Sequence, residues 1–338
     1  MPFVNIIRKR LIFLVLVVFG VSLFTFAISH IIPGDPARLV AGDRASDEIV
    51  TSIRQQMGLD RPLPEQYWRY LTGILRGDLG ASLRTNRPVI EDLVAFFPAS
   101  LELALVALLI ATLMGAPLGV LSAVYRDRPI DHVVRTLAVI GISTPAFWLG
   151  LILIVTFYGA LGVLPGGGRI DPNLAIPSRV TGFYLVDSLL AGDLPAFGST
   201  VRHLVLPAFT LGFIHLGVVA RQIRSAMLDE LQQDYVRTAR ANGIAKWRVI
   251  CGHALPNALI PSITVLGLAL GDLLYGAVLT ETVFAWPGMG AYVVNSIQSL
   301  DFPAVMGFSV VVSFAYVLVN LAVDLVYMAI DPRITGVN

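Results

Sequence analysis

Residues 234–243 read Asp234-Tyr-Val-Arg-Thr-Ala-Arg-Ala-Asn-Gly243. Asp234 at its start and Arg237 and Arg240 towards its end complement a helix dipole. Gly243 is placed to stop the helix in the left-handed conformation, which costs glycine little because it has no Cβ. A second helical start follows at Ala245 and runs through Trp247, Val249 and Ile250 to Leu255 and Pro256, where the proline predicts a break. The stretch is therefore expected to form a short polar helix, a glycine corner and a second helix.

What flanks it is apolar on both sides. Long apolar runs cover about 99–124, 136–160, 204–224, 258–284 and 304–329, and a further run reaches from Leu11 to Ile32. A membrane-crossing helix needs roughly 20 mainly apolar residues, so six spans are predicted, in an all-α polytopic membrane bundle. Composition agrees: of 338 residues 56% are hydrophobic and only 14% charged, with mean hydropathy +0.75. An ordinary soluble domain is about 25% charged, so a soluble chain is excluded. The first run follows the basic triplet Arg8, Lys9, Arg10 and has no small-x-small cleavage site, so it reads as an uncleaved anchor.

Four segments are expected: the anchor at 1–32, an extracytoplasmic segment at 33–97, a transmembrane domain at 98–330 containing the loop 225–257, and a tail at 331–338. Residues 33–97 mix acidic and basic side chains throughout and are too long for a simple connector. Short helices are expected there from Ala45 to Met57 and from Leu63 to Leu75, ended by Gly58 and Gly77. Thirteen of the 24 lysines and arginines fall on the side of the N-terminal tail, the 125–135 loop, the end of the fourth span (Arg221, Arg224) with the 225–257 loop, and Arg333. Eight of the other eleven lie in the 65-residue first loop, which is too long to count strongly in orientation. Both termini are therefore expected in the cytoplasm.

Several chemistries are excluded by counting. Neither lysine, Lys9 or Lys246, follows a glycine, so no Gly-Lys-Ser/Thr phosphate loop exists. No nucleotide, metal or other cofactor is expected on this chain. The single Cys251 permits no internal disulfide, and the five histidines never fall at His-x-x-x-His spacing. A net charge of +1 argues against nucleic acid as a partner.

The 234–256 stretch resembles the cytoplasmic coupling loop of ABC-importer permeases, whose pattern is Glu-Ala-Ala, three residues, Gly, nine residues, Ile-x-Leu-Pro. With Gly243 on the glycine, Ala239, Leu255 and Pro256 match, while Arg237, Thr238 and His253 depart. Pro33-Gly-Asp-Pro36, Gly77-Asp-Leu-Gly80 with Ser82, Leu279-Thr-Glu-Thr282 through Trp286-Pro-Gly288, and Asp331-Pro-Arg333 extend the likeness over almost the whole chain. Together they are similar to the B-type permease subunit of dipeptide and oligopeptide ABC importers. The resemblance implies a type I importer permease fold in a bacterial inner membrane, paired with a second, related permease. It also implies two ATPase subunits holding ATP and magnesium inside, a solute-binding protein outside and a peptide cargo. Asp234, Tyr235, Arg237, Thr238, Ala239, Gly243, Ile244, Trp247, Leu255 and Pro256 would then transmit the ATPases' motion. Ala239 and Gly243 would permit close approach, and Tyr235, Ile244 and Trp247 would supply the apolar anchor. By the same resemblance, the turn Trp286, Pro287, Gly288, Met289, Gly290 and the short helix after it would meet the binding protein.

Ionisable groups inside spans are costly and mark candidate functional positions. Asp272, near the centre of the fifth span with Tyr275 beside it, either lines a pathway that attracts cationic cargo or is hydrogen-bonded to a neighbouring helix or partner. His215 in the fourth span is a packing residue or a second pathway group, whereas Glu102, Glu281 and Asp324, near span ends, are expected to be structural. Gly115-x-x-x-Gly119 and Gly267-x-x-x-Gly271 predict close helix crossings, and Pro117, Pro145, Pro207 and Pro261 predict kinks or breaks. An intramembrane enzyme would need a Gly-x-Ser-x-Gly elbow, paired aspartates or a zinc site, none of which occurs. A stand-alone ion-coupled carrier is the alternative transport class, but it leaves the 234–256 loop unexplained.

Overall fold

The computed structural model describes residues 2–31, 35–42 and 44–330, with side chains for 8–31, 35–42 and 44–326. Pro33 and Gly34 of the first tetrapeptide, the Asp331-Pro-Arg333 motif and the 331–338 tail lie outside the described residues. The chain begins with α1 (Pro2–Ile31), the expected anchor. Three short helices follow, each starting where a cap or a proline allows. Asp35 accepts from the Ala37 N–H ahead of α2 (Pro36–Ala41), Ser46 caps α3 (Asp47–Gln56), and α4 (Leu63–Leu75) carries Pro64 in its first turn. Gly58 and Gly77 follow α3 and α4 as the sequence predicts.

From Val89 the chain is almost continuously helical. α5 spans Val89–Val124, and α6 (Pro129–Ser143) is followed by α7 (Ala146–Leu153), which runs on as a π-helix to Ala160. α8 is Tyr184–Leu190, α9 is Leu194–Glu230, α10 is Asp234–Ala241 and α11 is Lys246–Val249. After a π-helical turn at Ile250–Ala254 come α12 (Leu255–Val283), α13 (Met289–Gln298) and α14 (Phe302–Ile330). Among the described residues, five helices are long and apolar enough to cross a membrane, or six with α6 and α7 taken as one span.

Of the breaks expected at prolines, one is found and one is not. The run at 136–160 is broken at Pro145 as expected, with α6 and α7 meeting at 102°. Pro145 is the cause: it forces Thr144 out of helical conformation, to φ −85° and ψ 122°, and cannot donate to the helix before it. Pro256, in contrast, marks no break. Residues Lys246–Val283 form one continuous helix, because the wider π turn just before α12 leaves Pro256 in a first turn where its missing N–H costs little. Pro117, Pro207 and Pro261 likewise lie within continuous helices.

The chain divides into two compact units. One comprises residues 3–98 and 287–317. Its core joins Leu79, Val89, Leu93, Met289, Tyr292, Ala304 and Val310. The Ser82 hydroxyl donates to Asp301 at 2.5 Å, pinning the loop after α4 to the start of α14. α1 leans on α4 through Ser22 and Tyr67, 3.1 Å apart, and through the Phe26 and Tyr67 rings.

The other unit comprises residues 99–286 and 318–330. α9 is its axis, packed most extensively on α12 and then on α6. Small residues set the crossings of α5 with α9 and of α12 with α14. A Cβ on Gly119 would come within 2.6 Å of the Ala220 carbonyl, one on Gly115 within 3.0 Å of the Leu216 carbonyl, and one on Gly267 would overlap Val323.

Candidate coupling loop and pathway face

α9 carries the chain out of the bundle, and α10 turns back across its end. Val236 and Ala239, three residues apart on α10 and so on one face, are 0% and 7% exposed. They seat among Ile223 and Met227 of α9, Val120 and Ala123 of α5, Val249 of α11 and Ala258 of α12. Gly243 then reverses the chain at φ +75°. Nothing lies within 4 Å of where its Cβ would be, so the backbone conformation, not crowding, demands glycine there.

Tyr235 ties the loop at both ends. Its hydroxyl donates to the Glu230 carboxylate at 2.5 Å and accepts from Asn257 Nδ2 at 3.0 Å, linking the end of α9, α10 and the start of α12. Partial burial, followed by the neighbouring Glu230 carboxylate, pushes its phenol above the ordinary tyrosine value, so it remains a neutral donor. Ile244 and Leu255 pack against the same apolar cluster. Asp234, Arg237, Thr238 and Pro256 are exposed, and the Trp247 side chain is 49% exposed.

The structure thus brings the predicted loop residues together but divides them into two faces. Ala239 does not offer close approach to a partner; its small side chain is spent on the seat within this chain. Ile244 and much of Tyr235 also serve that seat. The outward face is Asp234, Arg237, Thr238 and Trp247, a polar helix edge with one aromatic side chain.

Along α12, Leu268, Asp272, Tyr275, Gly276, Leu279 and Thr282 form a helical stripe left uncovered by the rest of the chain, with Tyr275 71% exposed. His215 on α9 is half-buried. Of the three pathway candidates, Asp272 and Tyr275 thus share the uncovered stripe of α12, and His215 lies on α9, the helix packed against α12.

The Trp286–Gly290 group is placed differently from its expected role. Trp286 is fully buried, and its Nε1–H donates to the Ala99 carbonyl at 2.9 Å. Met289 is 1% exposed in the core with Leu79 and Val89, and Gly288 and Gly290 are buried too. Of the five, only Pro287 is exposed, so as a group they anchor the turn rather than present a contact surface. Large aromatic and small residues in a turn give the same sequence pattern whether they face inward or outward.

Sequence reasoning missed the strongest polar cluster. Arg169, 7% exposed, donates through Nε and Nη2 to Glu102 Oε2 at 3.1 and 2.5 Å and to the Gly182 carbonyl at 2.7 Å. Its guanidinium lies 3.7 Å from the Tyr184 ring centroid and 5.7 Å from that of Trp286. Glu102 Oε1 accepts from the Leu185 N–H at 2.8 Å. Nearby, Asp187 accepts from the backbone N–H groups of Val180, Thr181 and Gly182. Burial works to raise this carboxyl's pKa, but the donors outweigh it and hold the group below the usual carboxylate range. A second pair joins the partly exposed Arg224 to the fully buried Asp131 by two 2.8 Å bonds. The sequence signals were Glu102 near a span end, expected to be structural, and an arginine or aspartate standing beside an apolar run.

Residues 115–336 match the family described as binding-protein-dependent transport system inner membrane component, and residues 3–104 match the N-terminal family of the same systems. The "Probable D,D-dipeptide transport system permease protein DdpB" of Escherichia coli K12 is 68% identical over 334 residues, covering 99% of this chain and 98% of its own. The "Di/tripeptide transport system permease protein DppB" of Pseudomonas aeruginosa is 46% identical, covering 98% of each chain. The "Glutathione transport system permease protein GsiC" of Salmonella paratyphi A is 39% identical, again covering 98% of each. A chain from a solved structure titled "Inward facing conformations of the MetNI methionine ABC transporter" is 17% identical with a TM-score of 0.49, covering 69% of this chain and 93% of that one. With both family matches falling on the helices just described, the chain belongs to the inner-membrane components of binding-protein-dependent transport systems: it is a multi-pass permease subunit of an ABC importer.

Proposed function

We propose that this permease carries short peptides inward, delivered by an extracytoplasmic solute-binding protein and driven by ATP that separate ATPase chains hydrolyse. The relative that is 68% identical over 99% of this chain carries the cargo reading, because it is named for dipeptide transport. The others are named for di/tripeptides and glutathione, so a short peptide is the shared chemistry. Both termini lie inside, which puts α10 and Gly243 on the ATPase side. The outward edge of α10, with Trp247 as its aromatic anchor, docks into an ATPase groove. Because Val236 and Ala239 root that helix on α5, α9 and α12, a push on it moves the bundle as a rigid body.

The α12 stripe faces the path or the second permease. A carboxylate at mid-span is too costly to leave in hydrocarbon, so the side of α12 bearing Asp272 is covered by protein or water in the assembly. Asp272 attracts the peptide's amino terminus, with Tyr275 and His215 beside it. Asp272→Asn is expected to lower uptake of cationic peptides roughly tenfold while assembly is kept, since it removes one charge and keeps the shape. Uptake that is unchanged for cationic and neutral peptides alike would remove Asp272 from the pathway.

The test of the whole reading is purification of the tagged chain from its native membrane in mild detergent, with mass spectrometry of what stays bound. A second permease and ATPase chains are expected, and uptake should survive collapse of the membrane gradients while ATP is retained. Recovery of this chain alone, with uptake lost on collapsing the gradients, would establish an ion-coupled carrier instead.

A further inference from the structure

A cavity of about 560 Å³ opens between the end of α5, α6 and the second half of α9. Four arginines line it, Arg126, Arg135, Arg221 and Arg224, against two aspartates, Asp127 and Asp229. Arg224 is already engaged by Asp131, which is fully buried and also accepts from Ser122 at 2.5 Å. Arg126 lies 3.3 Å from its neighbour Asp127. Arg135 and Arg221 are exposed and form no ion pair among the described residues. Two guanidinium groups without an ion-pair partner thus line one cleft against the single carboxylate of Asp229, and positive charge is in excess there.

The cleft is not polar throughout. Val139 and Ile142 form part of its wall, on the face of α6 that carries Arg135, and are 63% and 42% exposed. A ligand that satisfies both parts has an anionic head and apolar tails. We propose that this cleft binds the headgroup of an anionic phospholipid of the inner leaflet, with Arg135 and Arg221 on its phosphate and an acyl chain along α6. Basic clefts between helices at the cytoplasmic boundary suit such lipids, and each cation adds about 1 kcal/mol of attraction. The leaflet rests on the orientation proposed above; the headgroup chemistry does not.

Occupancy would also serve the protein. The cleft lies against the Asp131–Arg224 pair that joins α6 to α9, so a bound phosphate neutralises the surplus positive charge beside that ion pair. Lipid composition should then influence how firmly the two helices are held.

The test uses the full chain with its co-purifying partners in neutral detergent. Binding of short-chain phosphatidylglycerol is compared by native mass spectrometry with phosphatidylcholine of the same chain length and with inorganic phosphate. Phosphatidylglycerol is expected to be retained selectively. Arg135→Gln with Arg221→Gln should weaken that binding about 30-fold, whereas Arg69→Gln with Arg87→Gln, in the 33–97 segment, should not. Equal retention of the two lipids, or unchanged affinity in the Arg135/Arg221 double variant, would overturn the site. Phosphate bound as tightly as the lipid would make it a free-anion site and overturn the lipid assignment. Orientation is read separately, by labelling Asp127→Cys in a Cys251→Ser background with an impermeant maleimide on intact cells. Labelling from outside would refute the orientation and the leaflet, whatever the lipid binding shows.

Discussion

Glu102→Ala is expected to deplete the folded permease from the membrane and lower its thermal midpoint sharply. The substitution leaves the Arg169 guanidinium, 7% exposed, without the carboxylate that neutralises it. It also frees the Leu185 N–H, which donates to the same carboxylate. Removing one partner of a buried ion pair costs about 3–5 kcal/mol, a large fraction of the margin by which a folded protein is stable. Arg169 also holds the Gly182 carbonyl and stacks on Tyr184, so the 161–193 segment loses its tether to α5. The measurement is size-exclusion chromatography of the fluorescently tagged chain after stepwise heating. Glu102→Leu combined with Arg169→Met should recover much of the loss, because a pair of apolar side chains of similar volume needs no compensation. A single variant as stable as the parent, or a double variant no better than the single, would show that the cluster does not hold this segment.

Val236→Asp is expected to abolish most uptake while leaving the chain inserted. Val236 is fully buried beneath α10, and an unpaired carboxylate there would cost several kcal/mol, more than an eight-residue helix gains from its own hydrogen bonds. The helix would therefore leave its seat rather than bury the charge. Insertion depends on the long apolar helices and is unaffected, so the loss should appear in coupling. Uptake into cells should fall by more than tenfold, with the amount of chain in the membrane close to that of the parent. Thr238→Asp, on the exposed edge of the same helix, should leave α10 seated and so separates seating from docking. Normal uptake by Val236→Asp would mean that α10 need not be anchored to this bundle.

How much of this was legible in advance varies with the range of the interactions involved. The short helix, its glycine reversal and the second helical start are readable at 234–256, because dipole complementarity and the left-handed C-terminus act within a few residues. Which side of that helix is buried is not. Ala239 was expected to admit a partner, yet it packs inside, because its neighbours come from α5, α9 and α12, more than ten residues away along the chain. The Trp286–Gly290 turn shows the same limit. Its residues are conspicuous in the sequence, but only the packing of Trp286 on the Ala99 carbonyl and of Met289 beside Val89 shows that they are anchors.

The sequence by itself determined the class of molecule: apolar runs long enough to span a bilayer, the segments between them, the coupling-loop pattern and the lack of a phosphate loop on this chain. Each depends on composition or on spacing within about one helix, where the chain's own periodicity sets the geometry. Only the tertiary structure decided the 102° turn between α6 and α7, the uninterrupted helix through Pro256, the burial of Val236 and Ala239, and the pairing of Glu102 with Arg169 and of Asp131 with Arg224. Those pairs are 67 and 93 residues apart. No local rule chooses between such partners, because a charge at the edge of an apolar run is equally compatible with water, lipid headgroups or an ion pair until helix packing excludes the first two.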